Sequence, residues 1–287
     1  MTISQKHNFE RRLGLFPVFF DKDGTAYTYT GYGDFPFSIP QRKISSPEEL
    51  FPQWMLLSYN KPVEVSSELT GHPKQYAVNE DIRTYWSAKT GNKGEWISID
   101  LLNESTVNAV QINFAEHQTQ LHGRDPKIYH QYLLECSNDN KTWVALADKT
   151  LNKADVPHDY IQLAAPVKAR YLRLTNYYVP DGTFALAGFR VFGVGQGNKP
   201  KTVDSFNVVR TQNDGREVTL KWDENLDAVG YNIRYGTQPD KLYHNHQVLS
   251  AHSLTIRSLN RLQKYYFVID SFNESGISKG TKIVEVE

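Results

Sequence analysis

Short polar side chains crowd one stretch of this chain. Residues 72–101 run HPKQYAVNEDIRTYWSAKTGNKGEWISIDL, and within them Asn79, Asp81 and Thr84 bring side-chain oxygens together just before Trp86. Such a cluster can form an active constellation, or it can hydrogen-bond its own loop, as Asn, Asp and Thr readily do. Two later stretches hold donors and rings. Residues 116–129 (EHQTQLHGRDPKIY) carry His117, His122 and Arg124, and residues 177–184 (YYVPDGTF) carry Tyr177, Tyr178 and Phe184. Glu68 and His72 stand before the oxygen cluster. Rings flanked by hydrogen-bonding groups suit a ligand with an apolar face and several hydroxyls, such as a sugar. Taken singly, each loop His or Arg equally suits a solvated group, and Phe184 equally suits a plug at the base of a core.

Other chemistries are poorly served. Neither a Gly-x-Ser-x-Gly elbow nor a His-Glu-x-x-His pair occurs. Cys136 is the single cysteine, so no intrachain disulfide or CxxC pair can form, and on a strand it reads as a small core residue. Basic and acidic residues number 32 each. That balance removes the electrostatic footprint of a nucleic-acid binder and the polybasic signal of a membrane binder. No run approaches the ~18 apolar residues of a membrane helix. The opening MTISQKHNFE lacks the apolar core of a secretory signal.

The elements that must position these residues read as strands. The 287 residues predict about two domains, and 17 Tyr with 14 Phe favour β-structure. Residues 1–53 hold strand-like runs at 13–20 and 26–32 around the turn Asp21-Lys22-Asp23-Gly24, then a helix start at Ser46-Pro47-Glu48-Glu49. Two strands cannot bury both faces alone, so the apolar runs 16–20 and 35–37 demand cover. Arg124, Tyr129 and His130 are one possible source of it. Residues 54–195 alternate cleanly, with strands expected at 95–100, 107–114, 132–137, 143–148, 159–163, 169–175 and 186–192. That spacing predicts an antiparallel sandwich. Residues 196–201 suit a linker. Residues 202–287 predict a second, immunoglobulin-like sandwich with strands at 205–209, 217–222, 230–235, 253–256, 265–272 and 281–286. Trp86, Trp96, Trp143 and Trp222 read as core, while Trp54 is ambiguous.

The middle region resembles the discoidin, or coagulation factor V/VIII type C, fold, also called carbohydrate-binding module family 32. The matching residues run from Ala77 to Trp86, then Trp96-Ile97-Ser98-Ile99-Asp100-Leu101, Ser137-Asn138-Asp139-x-x-x-Trp143, Ala169-Arg170-Tyr171-Leu172-Arg173-Leu174 and Phe189-Arg190-Val191-Phe192-Gly193. The last region resembles fibronectin type III, with Trp222, Tyr231, Leu259 before a corner Tyr265, and Asn273-x-x-Gly276-x-Ser278. Residues 9–17 (FERRLGLFP) with Gly33-Asp34-Phe35-Pro36 resemble the end of a glycoside hydrolase family 43 propeller.

These resemblances imply an all-β, galactose-binding-like sandwich followed by a fibronectin type III sandwich and preceded by a propeller-blade remnant. They imply the non-catalytic, carbohydrate-binding end of a bacterial glycoside hydrolase. Glycoside cleavage needs two carboxylates flanking the bond, and the resemblance places those in propeller blades this sequence lacks. Glu10, Asp21, Asp23 and Asp34 remain, of which Asp21 and Asp23 suit their turn. The expected partners are a glycan and the catalytic propeller of a parent enzyme, with neither nucleic acid nor membrane. The expected location is outside the cell or in the periplasm, as part of that parent. Ligand contacts are expected from Glu68, His72, His117, His122, Arg124, Tyr177 and Phe184, with Phe184 at the family's stacking position. A structural Ca²⁺ is implied at Asn79, Asp81 and Thr84. Here the sequence departs twice from the family pattern: Asn79 stands where Asp is usual, and Gly188 stands where Glu is frequent. Calcium prefers six to eight oxygens, several of them anionic, and Asp81 restores only one charge. A bracing role for the whole region, without sugar binding, is one alternative, and part of an active arabinosidase- or xylosidase-type hydrolase when full length is the other.

Overall fold

The computed structural model describes residues 16–28, 30–32, 34–120 and 128–287. Residues 9–15 of the propeller-like motif, together with Gly33, His122 and Arg124, lie outside them. The chain is all β and divides into two units, residues 56–196 and residues 16–55 joined by 197–287.

In the first unit the pattern predicts four short strands where two long ones exist. Trp96–Phe114 and His158–Tyr178 each run unbroken. Each crosses from one layer of the sandwich to the other. Residues 96–100 pair with 171–175 and with Val63–Val65, whereas residues 105–114 pair with 158–169 and with Ala185–Val194. The register slips between Asp100 and Ser105 and again between Val107 and Ala109, and Leu102 takes a φ of 70°. Such irregularities bend a strand without ending it. Residues 102–104 and 164–166, which read as loops, are the exposed outer side of these bends. Because side chains alternate along a strand, Ile97, Ile99, Val110, Ile112, Leu172, Leu174, Phe189 and Val191 all reach one core around Trp86. Trp96 and Trp143 are half-buried rather than core. The Trp143 ring lies 4.1 Å from the Arg173 guanidinium, which also pairs with Glu135.

His130 lies parallel to Phe114 with ring centres 3.9 Å apart, and Tyr129 stacks on Tyr178. Burial holds the His130 ring down to about 3. An unfolded histidine takes up its proton near pH 6.5, and the folded one does not, so stability present above that pH is lost as pH falls from 6.5 towards 3. The expected loss is about 2 kcal/mol between pH 6.5 and 5, above the range where carboxylates titrate. His117 and His246 are pushed the same way by burial. His130→Phe therefore reduces the slope rather than abolishing it. Urea unfolding across that pH range measures this, and an unchanged slope in the variant would refute it.

In the second unit Phe206–Arg210, Val218–Trp222 and Ser253–Ile256 make a three-stranded sheet. His244–Leu249, Gly230–Gly236, Tyr265–Asn273 and Gly276–Ser278 make the facing sheet, with Val284–Val286 also paired to Tyr265–Asn273. Two of these strands escape the sequence pattern: His244–Leu249 is polar at four of six positions, and Gly276–Ser278 is three residues long. The Tyr265 hydroxyl accepts a hydrogen bond from the Asn260 amide at 3.2 Å, as a corner tyrosine would.

Gly230–Gly236 is buried at every position but Arg234, so both of its faces are covered. Residues 16–55 supply the second cover. Tyr32 and Phe35 set their rings edge-on to Phe272 at 5.7 and 6.4 Å, and Phe51 stacks on Tyr32. The hairpin of Val18–Phe20 and Ala26–Thr28 is pinned by Tyr27 stacking on Tyr243 at 4.1 Å. Lys241 bridges Asp21 and Asp23 at 3.0 and 2.8 Å. Burial alone would raise the Asp21 carboxyl, but the Thr25 amide, the Tyr243 hydroxyl and Lys241 hold it far below the usual carboxylate range. Both aspartates are thus anchors of a turn. Cover reaches only alternate residues of the hairpin: Phe16 and Phe20 remain 48% and 72% exposed.

Candidate functional site

Four connections converge at one end of the first unit: residues 66–74, 85–95, 115–120 and 179–184. Backbone bonds stitch them together. The Leu69 amide donates to Ser87 O, the Ala88 amide to Phe184 O, the Phe184 amide to Thr90 O and the Thr183 amide to His117 O, all between 2.9 and 3.1 Å. Glu95 gathers the hydroxyls of Ser66, Ser67 and Thr90. Burial would raise its carboxyl, and these donors hold it below its usual value. Asp181 accepts from Thr119 Oγ1 and the Gln120 amide. Gly182, at φ +78°, sits where a Cβ would collide with His117 O, so the approach of the two loops requires glycine.

On this frame three rings group together. Trp86 points into the core, so its neighbour Tyr85 points outward. His72 stacks on Tyr85 with ring centres 4.2 Å apart, and His117 lies 4.5 Å from His72. Tyr85 Oη and His117 Nδ1 share a 2.7 Å hydrogen bond. Burial, then the neighbouring His72, pushes the His117 ring below its ordinary value, so it stays neutral near pH 7. Its Nε2 is buried and finds no hydrogen-bond partner among the described residues. On the flank, Lys93 Nζ sits 4.2 Å from the centre of the Tyr177 ring.

The expected ligand residues are therefore only partly assembled. His72 and His117 come together. Glu68 is nearby but accepts the Lys74 amide at 2.6 Å and so braces its own turn. Tyr177 is half-exposed beside Lys93. Phe184 is a correction: it is 0% exposed, edge-on to Trp86 at 5.4 Å, and offers no face to a ligand. His122 and Arg124 fall outside the described residues. Sequence reasoning missed Tyr85, Lys93 and Asp181. Strand alternation around Trp86 was signal enough for Tyr85, whereas Lys93 in a Gly-Asn-Lys-Gly turn carries no such signal.

The oxygens expected to hold calcium are already engaged with one another. Asn79 Oδ1 accepts the Asp81 amide at 3.0 Å, and Asn79 Nδ2 donates to Thr84 Oγ1 at 3.0 Å. The Thr84 hydroxyl reaches Asp81 O at 3.0 Å. Asp81 turns outward onto Arg83, whose Nε and Nη2 donate to its two carboxylate oxygens. At Gly188 a Cβ would lie 2.8 Å from Asn113 Nδ2, so the carboxylate that the family pattern places there would require the Asn113 side chain to move. Among the described residues no group of three or more His, Cys, Asp or Glu stands together as a metal site. Asn79, Asp81 and Thr84 do not fit a calcium ion and instead form a self-bonded loop.

Two layers of antiparallel strands with a cluster of loops at one end define a β-sandwich of the galactose-binding type. Residues 62–186 match the family model for the F5/8 type C domain. Among solved structures, it is similar to chitosan-binding module 1 of a chitosanase/glucanase from Paenibacillus sp. IK-5, at 25% identity over 48% of this chain and 99% of that one, with a TM-score of 0.39. It is also similar to module 2 of the same enzyme in complex with chitotriose, at 24% identity over 48% and 99%, with a TM-score of 0.41. A third is the family 32 module of Clostridium perfringens NanJ in complex with galactose, at 17% identity over 48% and 98%, with a TM-score of 0.40. A comparison with curated proteins returned no match.

Proposed function

We propose that residues 56–196 are a carbohydrate-binding module that performs no chemistry and takes a glycan at the His72–Tyr85–His117 cluster. The observation that carries this reading is the grouping of three rings with hydrogen-bonding atoms at the loop end of an F5/8 type C domain. Tyr85 and Tyr177 provide aromatic surface for a pyranose face, His72 and Lys93 provide hydrogen-bonding groups for hydroxyls, and His117 holds the Tyr85 hydroxyl in place. Residues 202–287 are read as a fibronectin type III spacer. The whole is read as the accessory end of a family 43-like hydrolase, outside the cell or in the periplasm. Weak single-site binding serves such a parent by raising the local concentration of its catalyst on the polysaccharide.

Affinity electrophoresis on soluble glycans tests this. The chain is expected to be retarded by at least one of them. Tyr85→Ala and His117→Ala are each expected to weaken binding by about tenfold, or about 1.4 kcal/mol. Both side chains are half-buried and share a hydrogen bond, so the unfolding midpoint of each variant is measured alongside to separate lost binding from lost fold. No retardation on any plant or host glycan would reject the reading and leave the bracing role.

A further inference from the structure

The loop at residues 79–84 is expected to need a cation, and it has one of its own. Arg190 lies on Ala185–Val194, two residues beyond Gly188 and on the same side of the strand. Its Nε donates to Glu80 Oε1 at 3.1 Å, and its Nη2 lies 3.0 Å from Glu80 Oε2. The remaining arm, Nη1, donates to Gln111 Oε1 at 3.0 Å, and the guanidinium sits 4.9 Å from the Phe192 ring centre. Arg190 is only 8% exposed. Glu80 turns towards it with a left-handed φ of 60°, a conformation that glutamate seldom adopts unaided. Each of the loop's two carboxylates is thus matched to a guanidinium: Glu80 inward to Arg190, and Asp81 outward to Arg83.

We propose that the Arg190 guanidinium is this domain's built-in structural cation, clamping loop 79–84 to the sheet and making it independent of calcium. A buried arginine suits the role because its planar fork meets a carboxylate with two parallel bonds and never deprotonates. The clamp holds the segment that leads directly into Tyr85 and Trp86, so it also sets where the ring cluster stands.

Thermal unfolding of the full chain tests this, with chelator and then with millimolar Ca²⁺, alongside calcium titration calorimetry. The expected result is a midpoint shifted by less than about 1 °C under either condition and no heat of binding, because a ligand that does not bind cannot stabilise. Arg190→Met and Glu80→Gln each strand a buried partner and should lower the midpoint by about 10 °C, without recovery on adding calcium. The paired Glu80→Leu/Arg190→Met variant should regain most of that loss. If Arg190→Met fails to fold, Glu80→Gln and the paired variant carry the same comparison. A midpoint that falls with chelator and returns with calcium overturns the proposal. So does a Glu80→Gln variant that unfolds like the parent.

Discussion

A chain that begins at Leu56 is expected to lose the cooperative unfolding of its C-terminal sandwich. Residues 16–55 are usable as a linker only on paper. Tyr32, Phe35 and Phe272 bury one another, at 8%, 4% and 2% exposure. Returning three such rings to water costs about 6–9 kcal/mol at about 2–3 kcal/mol each. A unit of this size has about 5–15 kcal/mol in total. The truncation also removes Tyr27 from Tyr243 and leaves Lys241 without Asp21 and Asp23. Calorimetry should show that transition missing or far lower, and the single substitution Tyr32→Ala should lower it by about 3–5 kcal/mol. A C-terminal transition that persists unchanged in the truncated chain would show that the cover contributes nothing.

Phe184→Ala is expected to damage the fold rather than the binding surface. The ring is fully enclosed against Trp86, and its own amide and carbonyl tie two loops together. Deleting a buried phenylalanine costs about 3–5 kcal/mol, through lost transfer energy and the cavity left behind. The midpoint should fall by about 10 °C. Tyr177→Ala, half-exposed, should leave the midpoint nearly unchanged. Equal midpoints for Phe184→Ala and the parent would restore Phe184 to the surface.

Much of the architecture was legible because strands advertise themselves by alternation. Ile97/Ile99, Val110/Ile112 and Leu172/Leu174 could only be one face of buried sheet, and they are. The continuity of Trp96–Phe114 and His158–Tyr178 was not legible. Exposed polar residues at a strand bend have the same composition as a loop. The candidate site was half legible. His72 and His117 stood out by type, but Phe184 looked like a ligand residue because an aromatic in a polar loop and an aromatic plug beneath it read alike.

The sequence alone determined the all-β class and the core faces, because these follow from side-chain periodicity, whereas it left Asn79, Asp81 and Thr84 open between a calcium site and a self-bonded loop. Only the tertiary structure decided what lies on what. It placed residues 16–55 on the sheet of Gly230–Gly236, set His72 against Tyr85 and His117, and brought Arg190 to Glu80 across 110 residues. Each of those depends on contacts between distant segments, and no local pattern of residue types records which distant segment will arrive.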